Sequence, residues 1–207
     1  MVNRIRQTLR QGIRALAVPL NRFTGGKLTP NMVTWFGMGM HIPIAALIAT
    51  NHTVWAAMLL IFFGLFDTLD GELARLQNRV SDQGGFLDAT TDRFKEVVLY
   101  TGVGLLLASG SHPRNAAIAV IACGASICVS YVRAKGETIF ATQDKRKKYT
   151  DLNKLFRGGL APFEIRMAVL AAGLLFSQVA LATAVIAVLA SFAALQRLID
   201  ISRALRA

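Results

Sequence analysis

Acidic side chains are scarce in this chain, and none occurs before Asp67. Only 12 Asp and Glu stand against 23 Lys and Arg, a formal net charge of +11 over 207 residues. Charged residues of both signs amount to 17%, whereas an ordinary soluble domain carries about 25%, so the chain cannot dress a normal water-facing surface. Two cysteines exclude a disulfide scaffold. Disorder is excluded by a hydrophobic content of 54%, since disordered chains are poor in apolar residues. What is present in their place is long apolar runs beside clustered basic residues, the composition of a membrane protein with cationic edges. A nucleic-acid binder is not indicated, because no motif of that kind accompanies the positive charge.

The basic residues of the first third are Arg4, Arg6, Arg10, Arg14, Arg22 and Lys27, and the stretch from Leu28 to Phe66 has no charge at all. At ~20 residues per crossing that stretch holds two helices meeting at the polar turn Asn51-His52-Thr53. Further apolar segments at 97–109, 115–132, 163–177 and 179–196 bring the expected number of transmembrane helices to six. With the N-terminus inside, the connections alternate. Inside segments hold Arg4 to Lys27, Arg75 and Arg79, Lys145 to Arg157, and Arg203 and Arg206, whereas the outside turns hold only Arg114. The positive-inside rule therefore puts both termini in the cytoplasm. Ile5, Leu9, Ile13, Leu16 and Leu20 recur at helical spacing with Arg6, Arg10 and Arg14 on another face, the pattern of an amphipathic helix lying in the interface against anionic lipid. The expectation is an all-α integral membrane protein of one domain, 1–207. An N-terminal interfacial amphipathic helix (1–27) precedes a six-helix bundle (28–207).

The scarce carboxylates are not scattered. Asp67, Asp70, Gly71 and Ala74 fall at i, i+3, i+4 and i+7, one face of a helix, and Asp88 and Asp92 share a face of the next, one turn after Gly84. Ionised carboxylates at a membrane edge are costly and usually functional. Four on two helices joined by a cytoplasmic turn can converge on one point. Such a cluster suits hard cations, Mg²⁺, Mn²⁺ or Ca²⁺, rather than zinc. Two such ions about 4 Å apart form a clamp for phosphoryl transfer. Gly71 and Gly84 leave room for a ligand against the helix backbone, and Arg75 can grip a diphosphate with its guanidinium fork.

The run Asp67-x2-Asp70-Gly71-x2-Ala74-Arg75-x8-Gly84-x3-Asp88-x3-Asp92 resembles the complete signature of the CDP-alcohol phosphotransferases. These are six-helix integral membrane enzymes with an N-terminal interfacial helix. The resemblance implies that Asp67 and Asp88 bridge two Mg²⁺ ions, with Mn²⁺ as a substitute, that Asp70 completes the first site, and that Asp92 completes the second. Asp92 would also be the catalytic base that takes the proton of the acceptor hydroxyl as it attacks the β-phosphate of CDP-diacylglycerol, releasing CMP. Gly71, Ala74, Arg75, Ser81 and Gly84 would hold the nucleotide and diphosphate. The stretch from Leu28 to Thr34 resembles the family's opening of its first crossing, where Asn31, Met32, Val33 and Thr34 would touch the CDP moiety. Read physically, the same stretch is a helix start, with Thr29 as cap and Pro30 at the first position.

For the acceptor, the stretch from Ser130 to Glu137 is similar to the inositol-phosphate segment of phosphatidylinositol-phosphate synthases within that family. Arg133, Lys135 and Arg166 fit either a cationic pocket for a phosphorylated acceptor or positive-inside anchors. The basic run Lys145-Arg146-Lys147-Lys148 reads as an anchor to anionic lipid. The expected reaction is transfer of a phosphatidyl group to a small polyol phosphate, inositol 1-phosphate first and glycerol 3-phosphate as the alternative. A homodimer in the inner (plasma) membrane, with its site on the cytoplasmic side, is implied with it. The rival reading of the same aspartates is a small cation transporter. Cys123 and Cys128 lie at i, i+5 and read as apolar fillers, and His41, His52 and His112 show no metal-ligand spacing.

Overall fold

The structure is a computed structural model that describes residues 2–142 and 162–206, with side chains described for residues 12–141 and 162–206. Among the described residues it holds α-helices, one 3-10 turn and no strand. In chain order these are α1 (Val2–Phe23), α2 (Pro30–Ala49), α3 (Thr53–Gly64), α4 (Phe66–Leu76), α5 (Asp82–Ala108), the 3-10 turn Pro113–Asn115, α6 (Ala116–Thr142), α7 (Phe163–Leu175) and α8 (Val179–Arg206). The basic run at Lys145–Lys148 lies outside the described residues, as do the side chains of Ile5 and Leu9.

Local chemistry explains the boundaries. Thr29 caps α2, its hydroxyl oxygen accepting the Met32 N–H at 3.2 Å, and Pro30 takes the first helical position. Asn51 turns the chain from α2 into α3 with φ +63°, a left-handed conformation that asparagine tolerates better than most residues. At Leu65 the chain passes from α3 to α4 without leaving the helical region, tightening into i→i+3 bonds (Leu65 N–H to Phe62 O, Thr68 N–H to Leu65 O) beside Gly64. The turn from α4 to α5 is short and pinned at both ends. Arg79 N–H returns to Ala74 O at 2.8 Å, Asn78 takes φ +53°, and Ser81 caps α5 by accepting Gly84 N–H at 3.1 Å. Gln77 Nε2 adds bonds to Asn21 Oδ1 and Leu28 O, both 2.8 Å, tying this turn to the link between α1 and α2.

Ile44, Ile48, Leu60, Leu99, Val103, Leu170, Leu174 and Ile186 form the core between α2, α3, α5, α7 and α8. α2 and α5 approach so closely that a Cβ on Gly102 would stand 2.5 Å from Ala45 O, the small-residue contact that membrane helices favour. α1 lies on α4, with Ala17 buried against Val33 and Leu73. Of the stripe expected on α1, Ile13 is buried but Leu16 is exposed. The side that packs on the bundle is centred on Ile13 and Ala17, and a small alanine suits the close helix contact there.

Among the described residues, four stretches are long and apolar enough to cross a membrane: Pro30–Ala49, Thr53–Leu76, Pro113–Ala141 and Val179–Arg206. Six were expected. α5 falls short because its first half carries Asp82, Asp88, Asp92, Arg93, Lys95 and Glu96. α7 has 13 residues, only about 20 Å at 1.5 Å rise per residue.

Candidate active site

A cavity of ≈ 800 Å³ opens between the start of α2, α4, the start of α5 and the start of α7. Asp67, Asp70, Asp88 and Asp92 all line it, joined by Asn31, Thr34, Gly71, Ala74, Arg75, Ser81 and Gly84. The helical spacing of the sequence thus delivers one wall from α4 and a facing wall from α5. The glycines keep both walls open. A Cβ on Gly71 would sit 3.4 Å from Arg75 Nη2, and one on Gly84 3.4 Å from Ser81 Oγ and 3.9 Å from Asn31 Oδ1.

The carboxylates share the cavity without closing on one point. Among the described residues no three His, Cys, Asp or Glu side chains are grouped as a ready metal site. Mutual repulsion and competing partners account for this. Lys95, fully buried, places its ammonium 2.5 Å from Asp67 Oδ1 and 3.1 Å from Asp92 Oδ1. Thr34 donates its hydroxyl to Asp70 Oδ2 at 2.6 Å. Arg75 folds onto the buried Glu72 at 2.7 Å while still lining the cavity, and Arg79 lines the same rim. The donor set nevertheless fits hard divalent cations. It consists of four carboxylates on one wall pair, and one bound cation, the Lys95 ammonium, already bridges two of them.

Two of the four α2 positions expected at the nucleotide face elsewhere. Asn31 and Thr34, three apart, point into the cavity, whereas Met32 is exposed and Val33 packs on Ala17 and Leu73. One helical face cannot present four consecutive residues. Arg133, Lys135 and Arg166 do not line the cavity either. Arg133 pairs with Glu137 one turn on, at 2.9 Å, and Lys135 is exposed on α6. Arg166 is buried and meets Glu96 through Nε at 2.8 Å and Nη2 at 2.7 Å. Glu96, with no exposure, also receives Arg93 at 2.6 Å, and Arg93 reaches Ser130 at 2.6 Å and covers the Phe163 ring at 5.3 Å. This ionic group behind the carboxylates ties α5 to α6 and α7. Lys95 and Glu96 were not singled out from the sequence. The available signal was two charges inside a helix that should otherwise become apolar after Asp92.

His41 is buried on α2, its Nδ1 2.7 Å from Gly37 O, and borders the cavity. Cys123 and Cys128 are both free thiols on α6.

Comparison with known proteins places this geometry in context. A family model described as CDP-alcohol phosphatidyltransferase matches residues 27–196. A Corynebacterium glutamicum phosphatidylinositol phosphate synthase is 38% identical over 121 residues, 57% of this chain and 55% of that protein. Its match thus spans about half the length of that relative. Among solved structures, Mycobacterium tuberculosis phosphatidylinositol phosphate synthase in complex with manganese and citrate superposes with a TM-score of 0.76 at 25% identity, covering 91% of this chain and 88% of that one. The same enzyme with CDP-DAG bound gives a TM-score of 0.75 at 23% identity, covering 91% and 92%.

Proposed function

Because the chain belongs to the CDP-alcohol phosphatidyltransferase family, we propose that it is a multi-pass membrane enzyme that transfers the phosphatidyl group of CDP-diacylglycerol to a hydroxyl of a small polyol phosphate, releasing CMP. Inositol 1-phosphate is the acceptor this reading favours. The observation that carries the reading is the meeting of all four signature carboxylates with Asn31, Thr34, Gly71, Arg75, Ser81 and Gly84 around one cavity.

Asp67, Asp70, Asp88 and Asp92 would hold two Mg²⁺ ions, with Mn²⁺ as substitute. Such ions neutralise the diphosphate and the charge that develops on it during in-line displacement. The chain's own groups do the rest. Asn31 and the open backbone at Gly71 and Gly84 admit the nucleotide, and Arg75 exchanges Glu72 for diphosphate oxygens. Thr34 fixes the Asp70 carboxylate. Asp92 takes the proton of the acceptor hydroxyl as its oxygen attacks the β-phosphate, and CMP departs with the electrons of the broken P–O bond. Arg133, on leaving Glu137, and Lys135 would swing from α6 towards the cavity to supply positive charge for the acceptor's phosphate, and Arg166 would add its own from the buried side, next to Glu96.

Six membrane elements are part of the proposal. α3 and α4 act as one crossing, and α5 and α7, packed in the same core, complete the count with α2, α6 and α8. The termini and cavity then share the cytoplasmic side of the inner (plasma) membrane, α1 lies in the interface, and the protein functions as a homodimer. Asp67 and Asp70 stand in the first half of α4, towards the cytoplasmic end of the proposed α3–α4 crossing, and Asp88 and Asp92 in the first half of α5, which argues against a cation transporter, whose site belongs near mid-membrane.

The deciding experiment incubates the purified protein with CDP-diacylglycerol and Mg²⁺, offering inositol 1-phosphate, glycerol 3-phosphate, free inositol or serine separately. CMP release with inositol 1-phosphate, abolished by EDTA and restored by Mg²⁺ or Mn²⁺, is expected. Release with glycerol 3-phosphate alone would move the acceptor to that polyol. Release only with serine or free inositol would refute the phosphate pocket, and no release with any acceptor would refute the enzyme reading.

A further inference from the structure

Among the described residues, Lys95 is the largest side chain buried without exposure. It stands one turn after Asp92 on α5, and its ammonium crosses to α4 to donate to Asp67 Oδ1 as well as to Asp92 Oδ1. Both bonds use a single oxygen of each carboxylate. A buried ammonium persists only where it is paired and hydrogen-bonded, and here its partners are two groups of the cavity wall. The facing charges are those of Asp67, Asp92 and Asp88, with Arg93 beside Asp92 at 3.7 Å and His41 across on α2. One of four negative charges is therefore cancelled from within the protein.

We propose that Lys95 is a resident counter-ion, which ties Asp67 to Asp92 across the α4–α5 interface in the metal-free protein and opposes divalent cations there. The inference rests on the reading of these carboxylates as metal ligands. It has two linked consequences. The carboxylate pair is held together when no metal is bound, and the metal is held less tightly than four unopposed carboxylates would hold it. Lys95 acts through Asp67 and Asp92, so it is a positioning residue.

The test uses the full-length protein in detergent, without lipid substrate, as wild type, Lys95→Met and the charge-balanced Asp67→Asn/Lys95→Met. Two quantities are read: the unfolding temperature in EDTA, and Mn²⁺ affinity from the electron paramagnetic resonance of free Mn²⁺. Methionine keeps the length of the side chain and removes its charge, leaving two carboxylates facing each other. Lys95→Met is expected to unfold about 10 °C lower in EDTA, from the loss of one partner of a buried ion pair. It should bind Mn²⁺ about tenfold more tightly, since a positive charge a few ångströms away is gone. The double variant should regain most of the lost unfolding temperature. An unchanged unfolding temperature in EDTA overturns the proposal, as does an Mn²⁺ affinity that is unchanged or weaker. If Lys95→Met alone yields no folded protein, the double variant decides, recovery of a folded protein supporting the counter-ion and failure to recover overturning it. Wild type that binds no Mn²⁺ overturns the metal reading itself, an outcome distinct from wild type that binds Mn²⁺ while Lys95→Met binds it no better.

Discussion

Replacing Glu96 by glutamine tests whether the ionic group behind the cavity holds the bundle together. Glu96 is wholly buried, and one of its oxygens meets Arg166 of α7 at 2.7 and 2.8 Å while the other meets Arg93 at 2.6 Å. Breaking a buried ion pair by removing one charge typically costs 3–5 kcal/mol, because the remaining charge keeps its burial and loses its compensation. Arg93 is only partly buried and retains Ser130 and the Phe163 ring, so burial weighs more heavily on Arg166, 2% exposed. Glutamine also keeps one acceptor oxygen, which puts the expected loss at the lower end, about 3 kcal/mol. For a chain of this size that corresponds to an unfolding temperature lower by ~6–12 °C. Thermal unfolding followed by intrinsic tryptophan fluorescence measures it directly. Glu96→Gln/Arg166→Met should recover part of the loss, since replacing both members of such a pair is often nearly neutral. A shift within measurement error for Glu96→Gln, or strictly additive losses in the double variant, would refute the role given to this pair in joining α5 to α7.

Asp92→Asn should lower CMP release by at least ~100-fold, the usual range for loss of a general base, while binding of a fluorescent CDP-diacylglycerol persists; equal loss of binding would place Asp92 in donor recognition. Thr34→Val removes the hydroxyl donated to Asp70 at 2.6 Å. A hydrogen bond to a charged group is worth ~1.5–3 kcal/mol, so turnover should fall tenfold or more, with Thr34→Ser restoring it. Gly102→Ala puts a Cβ 2.5 Å from Ala45 O and should destabilise the fold by about 1–3 kcal/mol through overpacking. Gly39→Ala, with nothing within 4 Å of the added carbon, should leave the unfolding temperature unchanged, and equal effects at both positions would show that the α2–α5 contact is not the cause.

Period and spacing carried much of this molecule. The turn at Asn51, the capped start of α2 at Thr29 and Pro30, and the convergence of Asp67, Asp70, Asp88 and Asp92 on one cavity all follow from i, i+3 and i+4 arithmetic and from residue types with strong local preferences. What stayed hidden depended on partners far apart in the chain. Arg166 reads as part of an acceptor pocket or as an anchor until Glu96, 70 positions earlier, meets it in the core. Lys95 shows no role until Asp67 is placed across from it. Met32 and Val33 stand with Asn31 and Thr34 in a linear motif, but a helix shows only one of its faces to a ligand. Of the six crossings expected, α5 and α7 are the two that are not long and apolar throughout, one being rich in charge and the other short.

The turn from α4 to α5 acts as a ruler. Its left-handed Asn78, its return bond from Arg79 to Ala74 and the Ser81 cap leave no slack between the two carboxylate-bearing walls. One added residue would have to be absorbed by winding α5 about 100° around its axis, which would turn Asp88 and Asp92 away from Asp67 and carry Lys95 out of the core. Length variation in this chain is therefore tolerable in connections such as Ser109–Pro113 and intolerable here. A loop that looks like ordinary surface is as constrained as the aspartates it spaces.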